Sequence, residues 1–79
     1  MTYRVRQLVL DTQESKTHGT FRTEGEAKMR LAQVLDEAFD ALGLEAAAAR
    51  QQIEDALHEG YFHFREHGKV TRWYMIERD

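Results

Sequence analysis

The 79-residue chain contains no cysteine. Disulfide bridges, thiolate zinc sites and cysteine nucleophiles are thereby excluded, and because small secreted domains ordinarily rely on such staples, a cytoplasmic location is the expectation. No apolar run approaches the ~20 residues of a membrane-spanning helix, and no apolar signal segment follows Met1, so no membrane association is expected. The glycines Gly19, Gly25, Gly43, Gly60 and Gly68 are too dispersed for a loop that cradles phosphate. The only serine, Ser15, sits in no nucleophile-elbow frame. With each familiar kind of site missing, neither catalysis nor a cofactor is expected.

What is present describes one small soluble domain over residues 1–79. The composition is 42% apolar and 32% charged, ordinary for a globular chain. A chain this short buries only roughly 60% of its unfolded surface, so its margin of stability is small and a homodimer would enlarge its core. The net charge of −3 conceals a segregation. Residues 24–59 carry nine acidic and three basic side chains, whereas the segments on either side are mildly basic. The resulting field is dipolar, which bears on partners and not on fold.

Five of the eight aromatic residues lie between Tyr61 and Tyr74. That stretch reads as a β-hairpin turning at His67-Gly68. With a regular ladder, Glu66 faces Lys69, Phe64 faces Thr71 and Phe62 faces Trp73. Phe62, Phe64, Trp73 and Met75 then form a core face, and Tyr61, His63, Arg65, Val70, Arg72 and Tyr74 form the outer one. Upstream, Tyr3 to Leu10 reads as a strand, Asp11 to Gly19 as a loop, and Thr20 to Arg22 as a short second strand.

Thr23 and Glu26 have capping-box spacing. The helix that follows places Leu31, Val34, Leu35, Ala38, Phe39 and Leu42 on one stripe and ends at Gly43. A second helix runs from Glu45 to Glu59, carries Ile53, Ala56 and Leu57, and ends at Gly60. The expected architecture is α+β, a small antiparallel sheet of three to four strands with two consecutive helices packed on one face, in the order β(β)ααββ.

His58, His63 and His67 have a spacing that resembles metal ligands, but they fall on a helix end, a strand and a turn, so no metal site is expected. The carboxylates Asp36, Glu37, Asp40, Glu54 and Asp55 lie opposite the apolar stripe and read as a solvated face, whereas acid–base catalysis needs a carboxylate in a cleft.

Two surfaces are candidates for binding. The first is the outer sheet face with Tyr61, Arg65, Arg72 and Tyr74, alongside Arg4 and Arg6. It reads as a plain solvated face, as a protein interface rich in Tyr and Arg, or as a platform that stacks bases and holds phosphates. Net negative charge argues against the last. The second is the acidic helical face of Asp36, Glu37 and Asp40, either solvated or able to dock on a basic, nucleic-acid-handling partner. No motif names a family. In its size, acidity and lack of cysteine, proline and any visible catalytic site, the chain resembles the small inhibitors encoded by phages and mobile elements, anti-CRISPR proteins among them. That resemblance implies a non-catalytic module that blocks or regulates a larger protein partner. A nucleic-acid-binding regulator using the sheet face is the alternative.

Overall fold

The computed structural model describes residues 1–79 and has the element order ββααββ. The elements are β1 (Tyr3–Val9), β2 (Glu14–Phe21), α1 (Glu24–Ala41), α2 (Ala46–Glu59), β3 (Tyr61–Glu66) and β4 (Lys69–Arg78). The four strands form one antiparallel sheet in the order β2-β1-β4-β3, so β1 is central and β2 and β3 are the edges. Both helices lie on one face of it. The short axis of the molecule is 18 Å, the thickness of one helix layer on one sheet.

Residues 14–19, expected as loop, are instead part of β2. Glu14 to Thr17 are exposed on both faces, so no side-chain alternation announces the strand; backbone pairing with β1 forms it. The ladder slips between Arg4 and Arg6, opposite Gly19. Gly19 has φ +134°, and a Cβ there would lie 2.6 Å from Phe21 Cζ, so only glycine lets the Phe21 ring fold beneath the bulge.

Local signals fix the helix ends. The Glu26 amide donates to Thr23 Oγ1 at 3.2 Å, while the Thr23 hydroxyl donates to the Glu26 carboxylate at 3.0 Å. Glu26 therefore closes the cap through the hydroxyl and not through the Thr23 amide. At the other end, Gly43 has φ +74°, and the Leu44 and Gly43 amides donate to the Phe39 and Asp40 carbonyls. That pair of bonds is the Schellman arrangement. It leaves Leu42 largely exposed.

The core lies between sheet and helices. Val5, Ala27, Leu31, Val34, Leu35, Phe39, Ala49, Ala56, Phe64 and Tyr74 are buried, with Phe62, Ile53 and Leu57 packed against them. Phe39 meets Phe62 and Phe64 at ring distances of 5.3 and 5.2 Å, which joins α1 to β3. Trp73 and Met75, expected in this core, are absent from it.

A bulge in β4 is the reason. His67 and Gly68 have φ 52° and 78°, the two positive values of a type I′ turn, and Glu66 pairs with Lys69 as expected. Between Phe64 and Arg65 the register then shifts. Phe64 pairs with Arg72, Phe62 with Tyr74 and His63 with Trp73. One extra residue, Thr71, turns the rest of β4 over, because strand side chains alternate with period two.

Candidate interaction surface

Helices cover only one face of the sheet. On the other face, pairing places Leu8 beside Trp73 and Trp73 beside His63, with Arg6 beside Met75 and Met75 beside Tyr61. Leu8, Tyr61, His63, Trp73 and Met75 thus form a contiguous apolar and aromatic patch with no third layer over it. Trp73 is 37% exposed and Tyr61 44%. The His63 ring stands edge-on to Trp73 at 4.6 Å and tilts against Tyr61 at 5.0 Å. These contacts hold the rings side by side while leaving solvent above them.

Strand alternation positions the charges around this patch. Arg4 and Arg6 emerge on the outer face of β1, and both are already paired. Arg6 Nη1 lies 2.6 Å from Glu77 Oε1, and Arg4 Nη2 lies 3.0 Å from Asp79 Oδ1 and 3.7 Å from Glu77 Oε2. Arg65 is exposed on β3 and has no ion pair within 4 Å. Three side-chain atoms, Arg4 Nε, His63 Nε2 and Thr71 Oγ1, are shielded from solvent and have no hydrogen-bond partner.

The four residues expected on this face part company. Tyr61 and Arg65 are there. Tyr74 is 3% exposed, in the core between Phe64 at 5.5 Å and His18 at 6.4 Å. Arg72 shares the helix-side face, with its guanidinium carbon 5.0 Å from the centre of the Phe64 ring. Both corrections follow from the bulge at Thr71. Trp73, Met75 and Leu8, which sequence reasoning left off this surface, take their place. One signal existed: Ile76 falls on the same track as Tyr74 and opposite Val5, so a regular strand could not bury both Trp73 and Ile76.

Asp36, Glu37 and Asp40 are all exposed, and none has an ion pair within 4 Å. Consecutive residues diverge by about 100° around a helix, and these do so. Asp36 lines the groove between the helices beside Arg50 and Ile53. Glu37 faces the opposite way, toward His18 on β2. Burial holds the His18 imidazole below its ordinary value of 6.5; Lys16 and Arg30 add to this and Glu37 opposes it. The His18 ring nitrogen Nε2 lies 2.7 Å from Gln7 Oε1, within hydrogen-bond distance.

The four histidines occupy separate places, and no group of three or more His, Cys, Asp or Glu side chains is arranged to hold a metal ion. No helix is long and apolar enough to cross a membrane. No protein-family model, curated protein or solved structure matches the chain.

Proposed function

We propose that this chain is a non-catalytic protein-binding module that blocks or regulates a larger partner, and that it makes contact through the uncovered sheet face centred on Trp73. The observation that carries the reading is the continuous patch of Leu8, Tyr61, His63, Trp73 and Met75 beside a chain that exposes too much surface. The molecule presents 5511 Å² to solvent. A monomer of 9.3 kDa is expected to present about 5,000 Å². The excess of about 500 Å² is of the order that one side of a small protein interface covers. Aromatic anchors at the centre with charge at the rim is also how binding energy is usually distributed.

The nucleic-acid alternative is weaker on the same face. Phosphate binding draws on free cations, and Arg4 and Arg6 already meet Glu77 and Asp79. Arg72 lies on the opposite side of the sheet, which leaves Arg65 as the unpaired arginine of the patch. A tagged chain used to retain partners from nuclease-treated lysate tests the reading. Trp73→Ala and Met75→Ala should each cut retention of a stoichiometric protein at least tenfold, while joint Asp36→Lys, Glu37→Lys and Asp40→Lys leaves it intact. Retention lost only with the acidic helix changes would move the interface there. Retention that disappears with nuclease would favour nucleic acid.

A further inference from the structure

We infer that β3 is a pairing edge, and that two copies of this chain join through it in antiparallel register to make one continuous eight-stranded sheet. The inference is independent of what binds the outer face. No strand flanks β3 on the side away from β4. Its backbone bonding pattern follows from the Ile76 amide, which donates to the Gly60 carbonyl at 2.9 Å. Hydrogen-bonded pairs alternate with unbonded ones along an antiparallel ladder. Phe62 and Phe64 therefore bond to Tyr74 and Arg72, and the backbone N–H and C=O groups of Tyr61, His63 and Arg65 point out of the sheet.

The two edges are built differently. β2 is blunted by its bulge, by exposed Lys16 and Glu14, and by a sequence without a large apolar residue before Phe21. Those are the features that keep sheet edges from pairing. β3 has none of them between Tyr61 and Phe64: the bulge of its hairpin lies on β4, and no charge or proline interrupts the aromatic run. Beside it on the helix side, Leu42, Leu44, Phe39, Gln52 and Phe62 line an open groove of about 360 Å³.

A second copy is the occupant that fits, because the strand is self-complementary. In the two-fold register centred on His63, Tyr61 opposes Arg65 of the second copy, His63 opposes His63, and Arg65 opposes Tyr61. Every outward N–H and C=O of the three residues then meets a partner. On the outer face this creates two Tyr–Arg pairs, and on the helix side it creates two Phe62–Phe64 pairs, the aromatic cross-strand contacts that stabilise sheets. The exposed Leu42 and Leu44 of each copy come to flank the seam. The outer patches of the two copies become neighbours on a single surface.

Light scattering across about 1 µM to about 1 mM, the range in which an interface this small associates, tests the inference. The mass should climb from 9.3 kDa toward twice that value. His63→Pro removes an outward N–H without touching the ladder to β4, a position where an edge strand tolerates proline, and should shift the midpoint at least tenfold upward. Trp73→Ala should leave it within about threefold. Should His63→Pro fail to fold, amide exchange on the unmodified chain decides. The Tyr61, His63 and Arg65 amides should gain protection with concentration. A chain that stays at one mass to 1 mM, those amides exchanging freely at every concentration, or a dimer lost with Trp73→Ala would overturn the edge pairing.

Discussion

Tyr74 and Trp73 are adjacent aromatic residues, and the bulge at Thr71 gives them opposite fates that a stability measurement can separate. Tyr74 is 3% exposed and packs on Phe64 and His18, so Tyr74→Ala empties a cavity in the centre of the sheet–helix core. Truncating a large buried aromatic costs about 3–5 kcal/mol. A domain of this length has roughly 4–12 kcal/mol of stability in all, so the variant should be close to unfolding at 25 °C. Trp73 is 37% exposed on the uncovered face, and Trp73→Ala forfeits its edge-on contact with His63 and the partial burial of its ring, but opens no enclosed cavity. Such an aromatic pair contributes about 0.5–1.5 kcal/mol beyond the area its rings bury, and the partial burial of the indole adds to that. Urea unfolding followed by far-ultraviolet circular dichroism reads both without depending on the tryptophan itself. Tyr74→Ala should be the worse, because its ring is almost fully enclosed and truncation leaves a cavity. A regular hairpin would bury Trp73 and expose Tyr74, so the reverse order would refute the bulged register and with it the proposed binding surface.

Further outcomes follow from single features of the structure. Thr23→Ala removes the acceptor of the Glu26 amide and should lower stability by about 0.5–2 kcal/mol in the same urea experiment. Gly19→Ala must drive a Cβ into the Phe21 ring from a positive φ and should cost at least about 2 kcal/mol, whereas Gly25→Ala, which meets nothing within 4 Å, should be neutral or mildly stabilising. His63→Phe keeps a ring against Trp73 and removes a shielded nitrogen that lacks a partner; unfolding midpoints should hold or rise, and a fall beyond about 1 kcal/mol would mean that Nε2 is in fact satisfied. The imidazole of His18 titrates below its ordinary 6.5 in the folded chain, so the unfolded chain binds its proton first as pH falls. Its contribution is therefore present above pH 6.5 and is lost as pH drops through the lowered value. Stability measured from pH 7.5 to 5 should decline less steeply in His18→Gln than in the unmodified chain.

The parts of this fold that were legible in the sequence are those specified by residues next to one another. Thr23 and Glu26 mark the start of α1, Gly43 and Leu44 its end, and His67-Gly68 a type I′ turn, because each depends on a few φ values or one local bond. β2 was legible only at Thr20 and Phe21, since Glu14 to Thr17 bury nothing and are held as strand by β1 alone. The register of β4 was legible only at Lys69, beside the turn, and not beyond the bulge. Along Lys69–Arg78 one track carries Thr71, Trp73, Met75 and Glu77 and the other Val70, Arg72, Tyr74 and Ile76. Each mixes large apolar with polar residues, so neither declares itself the core face. The bulge resolves the tie by aligning Tyr74 and Ile76 with Val5 and the helices. Half of the candidate site moved with that choice.

The same choice decides what the outer face is suited to. Had the hairpin been regular, Arg72 and Tyr74 would have joined Arg65 and Tyr61 in a basic-aromatic surface of the kind that grips single strands. The bulge exchanges an arginine and a tyrosine for tryptophan and methionine. Meanwhile Glu77 and Asp79 neutralise the arginines of β1. What remains has one unpaired arginine and a centre that water solvates poorly, which favours desolvation by a protein surface over counterion release from a phosphate chain. Salt dependence discriminates between these two kinds of contact. Binding through an apolar centre with internally paired rim charges should weaken less than about threefold between 50 and 200 mM salt. Phosphate binding that used even three of the arginines would lose more than tenfold over that range. A steep salt slope in the unmodified chain, flattened by Arg65→Ala and made steeper by Glu77→Gln, which frees Arg6, would show that the arginines and not Trp73 carry the contact.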